Sequence, residues 1–591
     1  MKVNDYYLQE LSALRIDGAD FAKKNPGLSS YLAKDGQDPD VERLLEGFAF
    51  LTGRIRQQLD EELPEVAHSL VQLLWPNYVR PVPSYAIVQF DAIRESVDNQ
   101  RVAKKVQLLS RAKDGDPASK FQTCFNMALM PVELSAVEYN QQGHQALLEL
   151  GFSATAMATL NEISFEPMRL YLSGSKFMAY ELYLYLDRYI DAIVVSLEDK
   201  EGTLLHNLEL SPSAVAPITF SPNETMTPYP KNVFDGYVAL QEFFCYRDKH
   251  LFVTLDGLDA IRRVDEAILK KAKNFRVKIT LSKALKTSLR PTIDDFSLYC
   301  TPVVNLFETD AVPIRKVQTD DEYIVLPSEL HKEKCEVFSI ENVRGWLPSK
   351  NIYQDYHPFE SFLDEGSEME YYSSRVKLSR NGDRTHTYLR FASSTGHFKE
   401  LEHYNATVSV KLLSTNKDVP SKLQLGDISV LDPMSNMNHL KFKNITIPST
   451  SYPPPIGGDF LWRVISNMSL NFLSLENIDT LRNIIQTYDF FGAYDAKQRE
   501  KTKMMLSGLT KVEHQSSDMI YEGYPIRGIE THLYVDPSKF ICAGEAYQFC
   551  TVLNDFFALY CNVNSFHRLV AHIENVETFV WKPKTGYQEL I

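Results

Sequence analysis

The chain has 591 residues, 44% of them hydrophobic and 24% charged, and carries a formal net charge of −15. That length allows several buried cores, roughly four domains of about 150 residues. The acidity argues against wholesale wrapping of nucleic acid or an anionic membrane surface. The seven cysteines, at 124, 245, 300, 335, 542, 550 and 561, form no C-x-x-C pair and read as reduced, mostly buried thiols. The N-terminus MKVNDYYLQEL has no apolar signal core, and no run of about 18 apolar residues occurs. A soluble cytosolic protein with no direct membrane insertion is expected.

Residues 1–78 read as helical. Tyr7, Leu8, Leu11 and Leu14 lie at helical spacing, and Asn25-Pro26-Gly27 breaks that helix. In DPDVERLLEGFAFLTGRI, at 38–55, the apolar residues Val41, Leu44, Phe48, Leu51 and Ile55 follow one another in steps of three, four, three and four. This is the narrow seam of a helix that lies along another helix. Asp38 is a good N-cap and Pro39 suits the first helical position. Pro64 predicts a stop near Glu62, with a third segment over Val66–Leu74 before Trp75-Pro76. The partner of the seam is either a helix of the same chain or one of another chain.

From Tyr78 the texture changes to short alternating runs. Strands are predicted at Tyr85–Asp91, Gln122–Leu129, Ala146–Phe152, Met168–Leu172 and Ile193–Leu197, with a helix over Phe177–Ile190. Five prolines in 211–231 mark an extended loop, after which Gly236–Phe244 and Leu251–Leu255 resume regular structure. Arg262–Arg290 holds ten Lys/Arg against two acidic residues, either a solvated face or a docking patch, and FRVKITL at Phe275–Leu281 within it alternates as a half-buried strand. Strand texture continues through Cys300–Phe307, Arg375–Lys377, Tyr388–Ala392 and Ala406–Leu413.

The stretch STSYPPPIGG at Ser449–Gly458 reads as a linker, because three consecutive prolines continue neither a helix nor a central strand. A second seam follows, at Leu461, Ile465, Met468, Phe472 and Leu475, then a helix around Ile478–Tyr488. The C-terminal part mixes a strand at Thr531–Val535, a helix near Ala546–Tyr560, and strands at Phe566–Ile573 and Thr578–Trp581. The expected class is a multidomain α+β protein. Its divisions are a helical region at 1–78, β-rich, sandwich-like domains at 79–310 and 311–448, a linker at 449–458, and a mixed α/β domain at 459–591.

Enzymatic signatures are missing: there is no GxxxxGK[ST], no GxGxxG after a strand, no HExxH and no G-x-S-x-G. His567 and His572, five apart, are poor co-ligands on a strand or a helix. Glu133, Glu138, Glu162 and Glu166 lie in a β-rich region, as a glycosidase would require, but spacing alone pairs none of them. The readings that stay open are a scaffold subunit, a β-sandwich carbohydrate-active hydrolase, and a nucleic-acid-associated factor using the Arg262–Arg290 patch. No cofactor or metal is called for.

Several blocks in order resemble one family: YYLQELSALR at 6–15, the seam block at 38–55, WPNYVRPVPS at 75–84, GYVALQEFF at 236–244, LYCTPVVNLFE at 298–308, LWRVISNMSLNFLSL at 461–475 and ALYCNVNSF at 558–566. The family is TssF (also VasA or ImpG), a baseplate subunit of the bacterial type VI secretion system. The resemblance implies a non-enzymatic structural role in the cytoplasm, with the baseplate docked at an inner-membrane complex through other proteins. It further implies two TssF copies with one TssG in the core of each wedge, TssK and TssE attached, and wedges around a hub carrying VgrG beneath the sheath. On that basis Val41, Leu44, Phe48, Leu51 and Ile55 are expected bundle-seam positions, with Leu461, Ile465, Met468, Phe472 and Leu475 a second candidate.

Overall fold

In the computed structural model the residues described are 7–8, 10–15, 39–94, 96–112, 115–155, 158–218, 220–230, 233, 235–286, 289–317, 322–329, 331–348, 351–359, 370–378, 385–393, 406–433, 440–456, 464–466, 477–521, 523–558, 561 and 565–586. Contacts divide the chain into two compact units, 1–74 with 456–466, and 75–455 with 467–591.

The smaller unit is built on helix α1, Pro39–Leu74, of 36 residues. At 1.5 Å per residue it is a rod of about 54 Å. The stop expected near Glu62 does not occur, because the helix runs through Pro64. An interior proline removes one N–H and crowds the carbonyl four residues earlier, costing about 3 kcal/mol. The turns on either side keep their own bonds, so one missing rung leaves the helix continuous. Asp38, the expected cap, lies outside the described residues.

In the larger unit, strand Tyr85–Phe90 is buried at nearly every position, as suits a strand flanked on both edges. One edge pairs with Cys300–Val304, Tyr85 opposite Val304, and the other with Phe442–Asn444, Phe90 opposite Phe442. The full sheet runs in the order Ile428–Leu431, Gln107–Ser110, Lys120–Thr123, Cys300–Val304, Tyr85–Phe90, Phe442–Asn444. The proline-rich stretch continues this pairing. The amide of Ser449 donates to the Tyr85 carbonyl at 2.8 Å, and Tyr452 bridges Val82. Residues expected as a linker are therefore held along the first strand up to 452.

The single strand expected over Gln122–Leu129 is two, Lys120–Thr123 and Met127–Leu129, in different sheets. The chain turns at 124–126, where Asn126 Oδ1 accepts from the Lys104 amide at 2.7 Å and the Phe125 amide donates to Thr301 Oγ1 at 3.2 Å. These side-chain bonds offer the backbone an alternative to the ladder. The FRVKITL strand forms as expected. Asn274–Leu281 alternates half-buried and buried along its whole length, between Ile190–Glu198 and Gln145–Ala154. A further sheet, centred on Glu336–Leu347 and Thr407–Thr415, closes over its own core of Val343, Leu389, Val408, Val410 and Leu412.

The five longest helices among the described residues of this unit follow in chain order: α2, Lys176–Arg188; α3, Asp235–Cys245; α4, Ile478–Gln486; α5, Ala496–Ser507; and α6, Ala543–Phe557. Helix α6 packs on both α2 and α3. It reaches α2 closely enough that a Cβ on Gly544 would sit 2.1 Å from the Tyr180 carbonyl oxygen. Between these elements lie the rings of Trp75, Tyr78, Tyr237, Tyr488 and Phe556, with centroids 4.8 to 6.3 Å apart. Trp75 Nε1 donates to Gln241 Oε1 at 3.2 Å, so the indole N–H is satisfied inside the core. The ammonium of Lys249 is paired with the Glu242 carboxylate, both side chains almost wholly buried, and Glu242 also accepts from the Met226 amide. In a buried pair of this kind, removing either partner strands the other charge.

Two predictions follow from this packing. Gly544→Ala drives a methyl into backbone, which cannot swing aside, and should lower stability by about 3 kcal/mol; Gly47→Ala, on the open side of α1 with no atom within 4 Å of the new methyl, should be tolerated or mildly stabilising. Equal thermal midpoints for the two variants would contradict the α2–α6 contact. The second concerns buried imidazoles. Burial, with the Lys249 cation beside it, pushes His250 down to about 3, and burial near His514 does the same to His567. Unfolded histidines titrate near 6.5, so the unfolded chain binds the extra protons. The stabilisation is complete above that value and is lost as pH falls from about 6.5 toward 3, by about 2 kcal/mol per histidine at pH 5. Chemical unfolding at pH 7 and 5 should show this loss, and His567→Gln should shrink it; an undiminished pH dependence in that variant would contradict the assignment.

Candidate functional site

The seam of α1 is where the sequence argument and the surface meet. Leu44, Phe48 and Leu51 are 72%, 63% and 59% exposed, while Val41 is half-buried. Ile55 lies on the same helix, but its side chain is outside the described set. Among the described side chains of this stretch the buried positions are Ala49 and Gly53, roughly a third to nearly half a turn from the centre of the stripe. Small residues therefore face the interior of the chain and large apolar ones face outward, the reverse of an ordinary surface helix. Thr52 bonds back to the Phe48 carbonyl at 2.8 Å, so its hydroxyl is satisfied without another chain.

Complete burial of a Leu or Phe side chain is worth about 1.5–3 kcal/mol. Three such residues at these exposures leave several kcal/mol of hydrophobic free energy unused in the single chain. A continuous apolar stripe on a regular helix suits another helix laid along it, with anchors at i, i+4 and i+7.

Of the second seam, only Ile465 lies among the described residues. It is half-buried within a helical turn at 464–466, next to the buried Val464. Leu461, Met468, Phe472 and Leu475 lie outside the described residues.

The other candidates are dispersed. Glu133 pairs with Arg94 at 3.2 Å, Glu138 with Arg276 at 2.9 Å, and Glu166 with Arg101 at 3.3 Å. Glu162 accepts from the Thr159 amide at 2.9 Å, and that bond, with one from the Thr159 hydroxyl, holds its carboxyl below the usual range. A glycosidase acid needs the opposite shift. Part of the Arg262–Arg290 charge is answered locally. Arg276 is gripped by Glu138, Glu149 and Glu198, Lys270 pairs with Glu266 at 2.7 Å, and Lys283 lies over the Tyr189 ring at 4.9 Å. His567 is buried, with Nε2 2.8 Å from Thr531 Oγ1. His572 is at 3.0 Å from both His532 and Thr578 and stacks on Tyr534, so the two histidines have separate surroundings.

Known proteins give this surface its context. Residues 1–588 match the family described as "Type VI secretion system, TssF". A type VI secretion system component, TssF1 of Pseudomonas aeruginosa, is 27% identical over 98% of both chains. Among solved structures, a chain of the TssK-TssF-TssG baseplate subcomplex of the type VI secretion system is similar with a TM-score of 0.73 at 26% identity, over 92% of this chain and 99% of that one. A chain of a type VI baseplate complex shares the fold at a TM-score of 0.61 and 24% identity, covering all of both. The large multi-sheet α+β architecture is thus that of a baseplate subunit. The chain belongs to the TssF family of the type VI secretion system. Among the described residues, no helix is long and apolar enough to cross a membrane.

Proposed function

We propose that the chain works by assembly alone, as a structural wedge subunit whose α1 stripe enters a helical bundle with a second copy of itself and with TssG. The observation that carries this reading is the outward-facing stripe of Leu44, Phe48 and Leu51. Val41 and Ile55 extend it at either end. The similar chain comes from a TssK-TssF-TssG baseplate subcomplex, which supports TssK and TssG as partners here. Two copies per TssG, attachment of TssK and TssE, and support of the sheath around a VgrG hub complete the proposal. Leu461, Ile465, Met468, Phe472 and Leu475 are a secondary surface, internal or shared. The baseplate so formed works in the bacterial cytoplasm against a membrane complex reached through its partners.

Neither alternative activity has comparable support. A hydrolase needs two carboxylates converging on a substrate, whereas the four glutamates are each engaged by a different group. A nucleic-acid factor needs cations left free for phosphates, whereas the centre of the basic patch is neutralised by three glutamates. Wedges that must rearrange on contraction call for hydrophobic contacts within a wedge and smaller, more polar ones between wedges.

The stripe provides the test. Phe48→Asp and Leu51→Asp place a carboxylate on an exposed helix face, so the isolated chain should keep its thermal midpoint, with stability changed by less than about 0.5 kcal/mol. The same variants should abolish the complex formed on co-expression with TssG, read by native mass measurement. A collapsed melt would make the stripe internal, and an intact complex would remove it from the interface.

A further inference from the structure

We propose that Gly47 is a notch in the α1 seam that seats Phe48 of a second copy of this chain, whose α1 lies parallel and in register. The proposal rests on the assembly reading above and names the helix that meets this part of the stripe.

Nothing in the free chain calls for glycine at this position. Gly47 sits well inside a 36-residue helix, where glycine is less favourable than alanine because it gives up more backbone freedom on folding. A Cβ built on it meets no atom within 4 Å, and its backbone is not left-handed. Neither close packing nor an unusual conformation within the chain therefore requires it. Its exposed neighbours are Leu44, Phe48 and Leu51. With Gly47 they stand at i, i+3, i+4 and i+7, a set of four that forms the hole for one side chain of a facing helix. The absent side chain deepens that hole.

Residue type, beyond spacing, identifies the occupant. Written as heptads, Val41, Phe48 and Ile55 are a residues, and Leu44 and Leu51 are d residues. β-Branched residues at a with leucine at d favour two parallel strands. In a parallel pair in register, an a residue lands among four residues of the facing helix: the preceding d and g, and the a and d of its own heptad. For Phe48 those four are Leu44, Gly47, Phe48 and Leu51, the same hole. Phe48 is the largest of the three a residues, and it falls where the neighbouring g residue has no side chain. By symmetry each Phe48 covers the other copy's Gly47. Identical helices in register risk setting like charges together, but these flanks avoid it. Each g residue meets the e residue five positions on, pairing Asp40 with Leu45, Gly47 with Thr52 and Arg54 with Leu59. No pair carries two charges.

The test separates the notch from the stripe. Gly47→Ala should leave the thermal midpoint of the isolated chain level or raised, yet weaken the complex formed with TssG about tenfold, read by native mass measurement on dilution. Adding Phe48→Leu should recover most of that loss, because a smaller knob needs a shallower hole. Leu44→Cys should form a disulfide between two copies in the complex under mild oxidation, since equal d positions face each other in a parallel pair. The seven native cysteines are all buried and offer no competing thiol. A lowered midpoint in Gly47→Ala means that the chain itself needs the glycine, and overturns the notch. So does a complex that keeps its affinity in Gly47→Ala but is abolished by Phe48→Asp, a result that leaves the stripe standing. Losses that simply add in the double variant overturn Phe48 as the knob. A complex in which Leu44→Cys never joins two copies gives the seam to TssG and overturns the second copy as occupant.

Discussion

Strand Tyr85–Phe90 is the constraint on which the larger unit depends. It is paired on one edge by residues near 300 and on the other by residues near 443, and the Pro-rich stretch after that continues along it to Tyr452. An early strand held between two late ones cannot complete its hydrogen bonding until most of the unit is in place. The cost of closing such long loops rises only slowly with their length, so the arrangement is thermodynamically accessible, but it ties together regions that a linear reading would keep apart. The helical layer joins the same construction: Gly544 lets α6 touch α2, and the Trp75 cluster joins residue 75 to α3, the end of α4 and α6.

The smaller unit follows another logic. Helix α1 satisfies its backbone internally except at the rung lost to Pro64 and turns Ala49 and Gly53 inward, leaving Leu44, Phe48 and Leu51 exposed along the rod. Exposed apolar stripes of this kind are an aggregation risk in a free protein and an asset in one that assembles. A self-closed, multi-sheet unit and a long helix with an unused seam suit a subunit that keeps its own fold while bonding to others.

What the sequence disclosed depended on how strongly burial marks it. FRVKITL alternates because one face of that strand is buried, and Phe566–Ile573 was equally legible. Helix α5, AKQREKTKMMLS, and strand Leu509–Tyr521 are largely polar and show no clear period, so neither was expected. Pro64 misled because a proline's penalty is local, whereas the helix around it is long. The five seam positions were legible from spacing, but spacing says only that a stripe must be covered, not by which chain. The cavity between the start of α2, residues 244–248, 449–452, α5 and residues 539–541 was not legible at all, because five distant segments build it.

The central claim is that the α1 stripe is covered by another chain. Hydroxyl-radical footprinting of Phe48, Leu44 and Leu51, in the isolated chain and in its complex with TssG, measures that directly. Strong labelling in the free chain and marked protection in the complex is the predicted result. Equal labelling in both states would contradict it.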